Sequence, residues 1–165
     1  MKFLYVPFRS KYVKGTGEKD KKECIFCKPL AENNDEKNFI LARYKYNFVI
    51  LNLYPYNAGH LMIVPFKHCA ELKDLSKDER DELMELISKS CEILKKQLKC
   101  EGFNVGLNLG KAAGAGIPNH LHMHVLPRWL GDTNFLPTLC ETKTISFDLH
   151  KIYSELKPKF NKIKI

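Results

Sequence analysis

The chain has 165 residues, of which 44% are hydrophobic, and a formal net charge of +8. These values fit one globular domain over residues 1–165 with a sizeable core. The longest apolar runs, residues 48–51 and 61–66, are far shorter than the roughly 20 residues of a membrane helix. Because the N-terminus also lacks an apolar secretory core with a cleavage site, we expect no membrane association and a cytoplasmic location.

The positive charge raises the question of nucleic-acid binding. Basic residues number 27 against 19 acidic ones, but they concentrate in Lys11–Lys22 and Lys157–Lys164. Both stretches read as solvated termini, and no basic motif interleaved with aromatic residues is present. Nucleic acid is therefore not the expected partner, and the positive field equally favours a polyphosphate substrate.

Near the N-terminus, Cys24 and Cys27 have the C-x-x-C spacing of a metal knuckle. The same spacing occurs in redox motifs, but here it lies in a lysine-rich stretch and not between a strand and a helix. Two more ligands are needed to complete a zinc site, and free thiols are the third interpretation. The other four cysteines have no paired spacing and are interpreted as core or surface thiols: Cys69, Cys91, Cys100 and Cys140.

Two elements are predicted in the central part of the chain. The apolar runs 48–51 and 61–64 flank the turn-rich stretch Tyr54–Gly59, which indicates an antiparallel hairpin. Ser76 and Glu79 then have the spacing of a capping box, and apolar residues recur at helical spacing after it. A long amphipathic helix is expected over Lys77–Leu98, with its apolar stripe covering one face of the sheet.

The second half of the chain adds strands and a helix. Phe103–Leu109 is predicted as a third strand and the segment around residues 120–124 as a fourth. Apolar spacing over residues 149–156 predicts a short C-terminal helix that ends before Pro158. The expected class is α+β, with a mainly antiparallel sheet of about five strands.

Three of the six histidines, His120, His122 and His124, occupy alternate positions with apolar residues between them. In an extended strand their imidazoles share one face, while Leu121 and its alternate neighbours point into a core. Such a row suits phosphate chemistry, because an imidazole can attack phosphorus while its neighbours bond or protonate oxygens. Histidines on a solvated face, or three histidines sharing one metal ion, are the alternatives.

A glycine-rich loop, Gly110–Asn119, comes directly before these histidines. Glycine lets backbone N–H groups approach an anion, but the loop matches neither the Walker pattern nor the dinucleotide fingerprint, and no organic cofactor is expected. In a hairpin the backbone of Gly116, Ile117, Pro118 and Asn119 would lie beside His122 and could bond a phosphate. A flexible connector is the plainer interpretation.

The alternating histidines and four further stretches resemble the signature of the histidine triad (HIT) family of nucleotide hydrolases and transferases. The stretches are Asn52–Pro65 with Lys67-His68, Gly106–Gly110, Ala115–Pro118 and Pro127–Phe135. The resemblance covers about residues 20–138 and implies a HIT-like fold. The stretches that flank the histidines are most similar to the branch that phosphorolyses diadenosine tetraphosphate.

The resemblance implies roles for particular residues. Zinc-bearing relatives pair the two cysteines with the positions of His68 and His120, which would make one closed structural zinc site per chain from Cys24, Cys27, His68 and His120. His122 would be the nucleophile and His124 would bond or protonate the leaving oxygen, while His120 would orient the strand. Asn52 matches a ribose-binding position and Asn108 a polar position near the phosphate. Without the family, both asparagines read as turn formers.

The expected activity is cleavage of dinucleoside polyphosphates through a nucleotidyl-histidine, with inorganic phosphate as acceptor and ADP and ATP as products, in a homodimer. Hydrolysis by water and slow-turnover nucleotide sensing are the alternatives. One departure bears on this: many relatives carry Gln-Ser or Gln-Thr where this chain has Gly116-Ile117. The missing hydroxyl argues against simple phosphoramidate hydrolysis and is compatible with the phosphorolytic branch.

Overall fold

The structure is a computed structural model and describes residues 24–133 and 147–165. The basic stretch Lys11–Lys22, Cys140 and the end of the Pro127–Phe135 stretch lie outside the described residues. Neither of the longer helices in the described ranges combines the length and the apolar character needed to cross a bilayer.

The described residues form an antiparallel sheet with helices, which confirms the α+β class. The helices are α1 (Cys27–Glu32), α2 (Lys77–Leu98) and α3 (Leu149–Phe160), and the strands are β1 (Ile40–Arg43), β2 (Asn47–Leu51), β3 (Leu61–Pro65), β4 (Gly102–Gly106) and β5 (Met123–Arg128). The five strands are ordered β1-β2-β3-β5-β4, and all neighbouring pairs are antiparallel. Strand β5 lies between β3 and the edge strand β4, so the end of the histidine segment is on an inner strand.

The predicted hairpin and the long helix are both confirmed. Strands β2 and β3 pair from Asn47 opposite Pro65 to Leu51 opposite Leu61. Helix α2 begins as the capping box predicts: Glu79 N–H donates to Ser76 Oγ at 3.2 Å, and Ser76 N–H donates to the Glu79 carboxylate at 2.6 Å. The bounds of this helix follow directly from the capping residues and the apolar period.

The sheet has an apolar cluster on each face. The main core lies where helices α2 and α3 cover the sheet, and Leu86, Leu94 and Leu156 are fully buried in it. A smaller cluster on the opposite face contains six buried residues: Phe26, Ile40, Phe48, Ile50, Met62 and Val64. Since Phe26 lies between the two knuckle cysteines in sequence, this second cluster joins the N-terminal segment to the sheet.

The prediction that the C-terminal helix ends before Pro158 is wrong, because α3 continues to Phe160. A proline inside a helix loses one backbone hydrogen bond. The added turn buries Phe160 completely, which contributes roughly 1.5–3 kcal/mol. The Phe160 carbonyl also accepts a hydrogen bond from the Tyr44 hydroxyl at 2.9 Å. These tertiary contacts offset the local cost of the proline.

Two strands differ from the sequence prediction. The segment Ile40–Arg43 forms β1, which no motif located, and β4 ends at Gly106, earlier than the predicted Leu109. Gly106 lies opposite His124, and β5 begins at Met123. The β4 ladder therefore ends where its partner leaves regular strand geometry.

A buried carboxylate links helix α2 to the β1–β2 turn. Glu82 accepts hydrogen bonds from Lys45 N (3.1 Å), Tyr46 N (2.9 Å), and both Asn47 N (2.8 Å) and Asn47 Nδ2 (2.9 Å). Replacing Glu82 with alanine leaves these donors without an acceptor, so we expect the free energy of unfolding to fall by about 2–4 kcal/mol. Urea denaturation measures this loss. Glu85→Ala, an exposed control on the same helix, should stay within about 0.5 kcal/mol of the parent.

Candidate active site and metal cluster

The histidine segment has the predicted sidedness but not the full predicted strand. Leu121, Met123 and Val125 are buried in the main core, as the alternation requires. Regular strand pairing begins only at Met123, so of the three histidines only His124 lies within β5. The rings of His122 and His124 are adjacent, with centroids 5.0 Å apart.

The hydrogen bonding of His122 defines which ring nitrogen is available. Its Nδ1 lies 2.8 Å from the carbonyl oxygen of His120. A carbonyl can only accept, so Nδ1 carries the hydrogen and Nε2 of the neutral ring keeps its lone pair. The ring is 7% exposed, its centroid lies 5.0 Å from that of Phe26, and burial lowers the pKa of His122. This is a neutral imidazole with its nucleophilic nitrogen fixed by the backbone.

His124 is oriented by another histidine, His60. The backbone N–H of Tyr56 donates to His60 Nδ1 at 3.1 Å, so the neutral His60 ring carries its hydrogen on Nε2. That Nε2 lies 2.9 Å from His124 Nδ1 and donates to it. The neutral His124 ring then carries its own hydrogen on Nε2. The hydrogen bond from the turn thus fixes the tautomers of both rings. It leaves His124 with an Nε2–H group that can donate to an oxygen.

Sequence reasoning assigned no role to His60. It is 1% exposed and stands directly before β3, where Leu61 pairs with Val125. A single histidine in a turn has no periodic signal. The available indication was its place in the Asn52–Pro65 stretch, which resembles the HIT family.

Burial makes this pair sensitive to acid. Burial, with the charges of the neighbouring histidines, lowers the pKa of His60 to about 3 and that of His124 to about 4. In the unfolded chain both titrate near 6.5, so below that pH the unfolded state binds protons that the folded state does not. The free energy of unfolding is therefore expected to fall from about pH 6.5 towards pH 4. Urea denaturation across this range should give a shallower decline for His60→Gln, and an equal decline would contradict the assignment.

The two cysteines and two histidines named for zinc do come together. One ligand atom from each of Cys24, Cys27, His68 and His120 lies within 4.8 Å of every other. His120 Nδ1 is 3.2 Å from Cys24 Sγ and 3.6 Å from Cys27 Sγ, and Cys27 Sγ is 3.4 Å from His68 Nδ1. Zinc bond lengths of about 2.3 Å to sulfur and about 2.1 Å to nitrogen, at tetrahedral angles, place such atoms roughly 3.6 Å apart. The residues fit a tetrahedral metal ion.

The tautomer of His120 also suits a ligand. Its Nε2 lies 2.9 Å from the Pro65 carbonyl oxygen and so carries the hydrogen. The lone pair of Nδ1 consequently faces the sulfur atoms, and the backbone acceptor fixes the ring as in many metal sites. Among the described residues, the three alternating histidines do not themselves form a metal-ligand group, which disfavours one ion shared by all three.

The remaining candidate residues differ in their exposure and in their hydrogen bonds. Asn52 Oδ1 accepts from Tyr54 N at 2.9 Å, and its Nδ2 lies 3.3 Å from His60 Nδ1, so it also supports the turn. Asn108 is exposed and donates from Nδ2 to the Gly114 carbonyl at 3.4 Å. In the preceding loop, Ile117 packs against the cluster that contains Phe26. The others are exposed or half-buried: Gly116, Pro118 and Asn119.

A five-stranded antiparallel sheet with adjacent histidine rings at the start of an inner strand defines a histidine triad fold, and the comparisons agree. The chain matches the HIT domain family over residues 33–129. It is 46% identical over 116 residues to the AP-4-A phosphorylase of Mycobacterium tuberculosis, which covers 70% of this chain and 60% of that protein. An uncharacterized HIT-like protein of Methanocaldococcus jannaschii is 32% identical over 134 residues, 81% of this chain and 98% of the relative.

Solved structures share the fold. A zinc-bound histidine triad family protein from Mycobacterium smegmatis superposes with a TM-score of 0.69 at 21% identity, covering 85% of this chain and 94% of that one. The match over residues 33–129 shows that this chain belongs to the HIT family. It spans only about 60% of the length of the mycobacterial phosphorylase.

Proposed function

We propose that this protein is a nucleotidyltransferase that cleaves diadenosine tetraphosphate through a nucleotidyl-histidine, with inorganic phosphate as the acceptor. The observation that carries the proposal is the pair of fixed tautomers: an Nε2 lone pair on His122 beside an Nε2–H group on His124. The first can attack phosphorus and the second can bond the departing oxygen. The name of the mycobacterial relative supports the choice of substrate.

In the first half-reaction, His122 Nε2 forms a bond to the α-phosphorus, and the bond from that phosphorus to the bridging oxygen breaks. ATP leaves with the bridging oxygen, to which His124 Nε2–H donates a hydrogen bond or a proton. In the second half-reaction, an oxygen of inorganic phosphate forms a bond to the same phosphorus, and the bond from that phosphorus to His122 Nε2 breaks, which releases ADP and returns the lone pair to His122. Two displacements replace one difficult step.

The nucleotide is proposed to lie along the loop and the turn that frame these rings. The backbone of Gly116, Ile117, Pro118 and Asn119 would bond the α-phosphate oxygens, and the amide of Asn108 would lie near them. Asn52 would bond the ribose hydroxyls. Backbone donors suit the oxygens that gain charge in the transition state, because they need no reorganisation during the reaction.

We further propose that Cys24, Cys27, His68 and His120 hold one structural zinc ion. All four positions are filled by protein ligands, so no position remains for a substrate. Its role would be to tie the N-terminal segment, including Phe26, to the histidine segment. His120 would therefore act by holding the backbone carbonyl that orients His122, at 2.8 Å from Nδ1.

A homodimer is proposed through strand β4. On one side β4 pairs with β5, and within the described residues its other side pairs with no strand. Val105 on β4 is 45% exposed, and Leu109, three residues after the strand ends, is 47% exposed. Unpaired strand edges with apolar side chains are suited to pairing with a second copy. Light scattering after size exclusion should give twice the mass of the chain.

Hydrolysis is the second candidate function, because water could replace phosphate at the adenylated histidine without any change in the first step. Incubation with diadenosine tetraphosphate, with and without inorganic phosphate, separates the two. ADP and ATP formed only with phosphate would establish phosphorolysis, whereas AMP and ATP regardless of phosphate would establish hydrolysis. No turnover would contradict both and favour nucleotide sensing.

A further inference from the structure

Asp132 is a buried carboxylate four residues after the end of β5. Its side chain is 7% exposed. It accepts from Arg128 Nε at 2.6 Å and from a second guanidinium nitrogen at 2.9 Å. The Trp129 backbone N–H (3.2 Å) and the Thr133 hydroxyl (3.0 Å) also donate to it. The Arg128 guanidinium, with these other donors, holds the pKa of the Asp132 carboxyl well below its usual range, so the group is a fixed anion.

Asp132 also reaches across to the turn between β2 and β3. Asn57 Nδ2 donates to Asp132 Oδ2 at 2.8 Å and to the Pro127 carbonyl at 3.0 Å. Asn57 is 9% exposed; its bond to Pro127 is buried and its bond to Asp132 is partly buried, and both donor hydrogens of its amide are used. The segment after β5 thereby fixes a residue 75 positions earlier in the chain.

From Asn57 the connection continues to the histidine pair. The Asn57 carbonyl accepts from the His60 backbone N–H at 3.2 Å. The neighbouring Tyr56 N–H sets the tautomer of His60, which in turn donates to His124. Tyr56 is 51% exposed, whereas Asn57 directly after it is buried, and the Tyr56 ring packs 4.8 Å from that of His60. Because Asn57 is anchored by Asp132 and follows Tyr56 directly, it helps to hold the Tyr56 N–H in place.

We propose that Asp132 is a positioning residue which, through Asn57 and the turn, holds His60 so that the N–H group of His124 faces the leaving oxygen. The inference rests on the proposed nucleotidyl transfer and assigns to this transfer a residue outside the histidine row. Within the described part of the chain, the Asp132 carboxylate bonds with Asn57, Arg128, Trp129 and Thr133 and not with His60 or His124, so it acts through the turn. Its effect should therefore appear in the step that needs His124.

The test compares two adenylate esters, the p-nitrophenyl ester and the phenyl ester of AMP. The p-nitrophenolate leaving group is weakly basic and needs little proton donation, whereas phenolate is more basic and needs more. Because a misplacement of about 1 Å can cost about 10²-fold in rate, Asp132→Asn should lower kcat for the phenyl ester by about 10²-fold and for the nitrophenyl ester much less. KM should change little for either. Asn57→Ala should reproduce this pattern.

A matched control is available in a second arginine–aspartate pair. Asp35 accepts from Arg43 Nε at 2.9 Å and lies 2.8 Å from its NH2 nitrogen, but this pair lies beside the outer strand β1. Asp35→Asn should leave the ratio of the two ester rates at the parent value. In a His124→Gln background, Asp132→Asn should cause no further loss, because the residue acts through His124.

An equal loss for both esters would assign Asp132 a general structural role and overturn the proposal. If the parent protein cleaves neither the adenylate esters nor diadenosine tetraphosphate, the proposed function fails, and the positioning of His60 and His124 by Asp132 is then decided by ¹⁵N shifts of the imidazoles. These shifts report which ring nitrogen carries the hydrogen. Changed His60 and His124 tautomers in Asp132→Asn but not in Asp35→Asn would support the claim, and unchanged tautomers would overturn it.

Discussion

Replacing His122 with alanine is expected to lower kcat for diadenosine tetraphosphate by about 10⁴-fold or more, the scale seen when a catalytic nucleophile is removed. The reason is specific to Nε2: the backbone carbonyl of His120 occupies Nδ1, so only Nε2 can form the bond to phosphorus. No neighbouring ring offers the same atom, because in His124 the neutral tautomer carries its hydrogen on Nε2. Steady-state rates with phosphate present measure the loss.

The control for this substitution is His150→Ala. His150 lies in α3, where it is exposed and its ring packs 4.9 Å from that of Phe39. It should retain the parental rate. If His122→Ala kept more than a few per cent of the activity while remaining folded, the nucleophile would have to be another group.

The second large effect is expected at the metal cluster. Cys27→Ser removes a ligand whose sulfur lies 3.4 Å from His68 Nδ1 and 3.6 Å from His120 Nδ1. Loss of a structural zinc ion removes folding free energy. A loss of about 3 kcal/mol corresponds to a fall in Tm of about 6–12 °C for a chain of this size. Metal analysis should show the zinc content falling from one per chain to well below that value, and calorimetry should show the fall in Tm.

Cys91→Ser is the matched control, because Cys91 is a half-buried free thiol on α2 outside the cluster. It should keep the metal content of the parent. His122→Ala should keep it as well, because His122 is not a member of the cluster. Zinc lost with His122 but retained with Cys27→Ser would contradict the assignment and point to a metal ion on the triad.

Local signals in the sequence located the parts of the fold that depend on local chemistry. Ser76 and Glu79 cap α2 as their spacing predicts, and the β2–β3 hairpin follows from two apolar runs and a turn. The end of α3 did not follow, because burial of Phe160 and its bond with Tyr44 are tertiary effects that no local pattern contains. Strand β1 is only four residues long, so it is too short to show a period.

The sequence predicted those residues of the site that belong to regularly spaced motifs. Alternation identified the three histidines, and C-x-x-C spacing identified the two cysteines. The other two members of the metal cluster, His68 and His120, came from family resemblance, because they lie 41 and 93 positions after Cys27, respectively. The roles of His60 and Asp132 follow from contacts between residues far apart in the chain, and no spacing pattern in the sequence indicates such contacts.

The most direct test of the account is to trap the covalent intermediate. The protein would be mixed with diadenosine tetraphosphate without inorganic phosphate, quenched at alkaline pH and examined by mass spectrometry of the intact chain and of its peptides. One adenylate per chain, attached to His122, labile to acid and absent in His122→Ala, is the predicted result. ATP release with no adduct at any time after mixing, or an adduct on another residue, would contradict nucleotidyl transfer through His122.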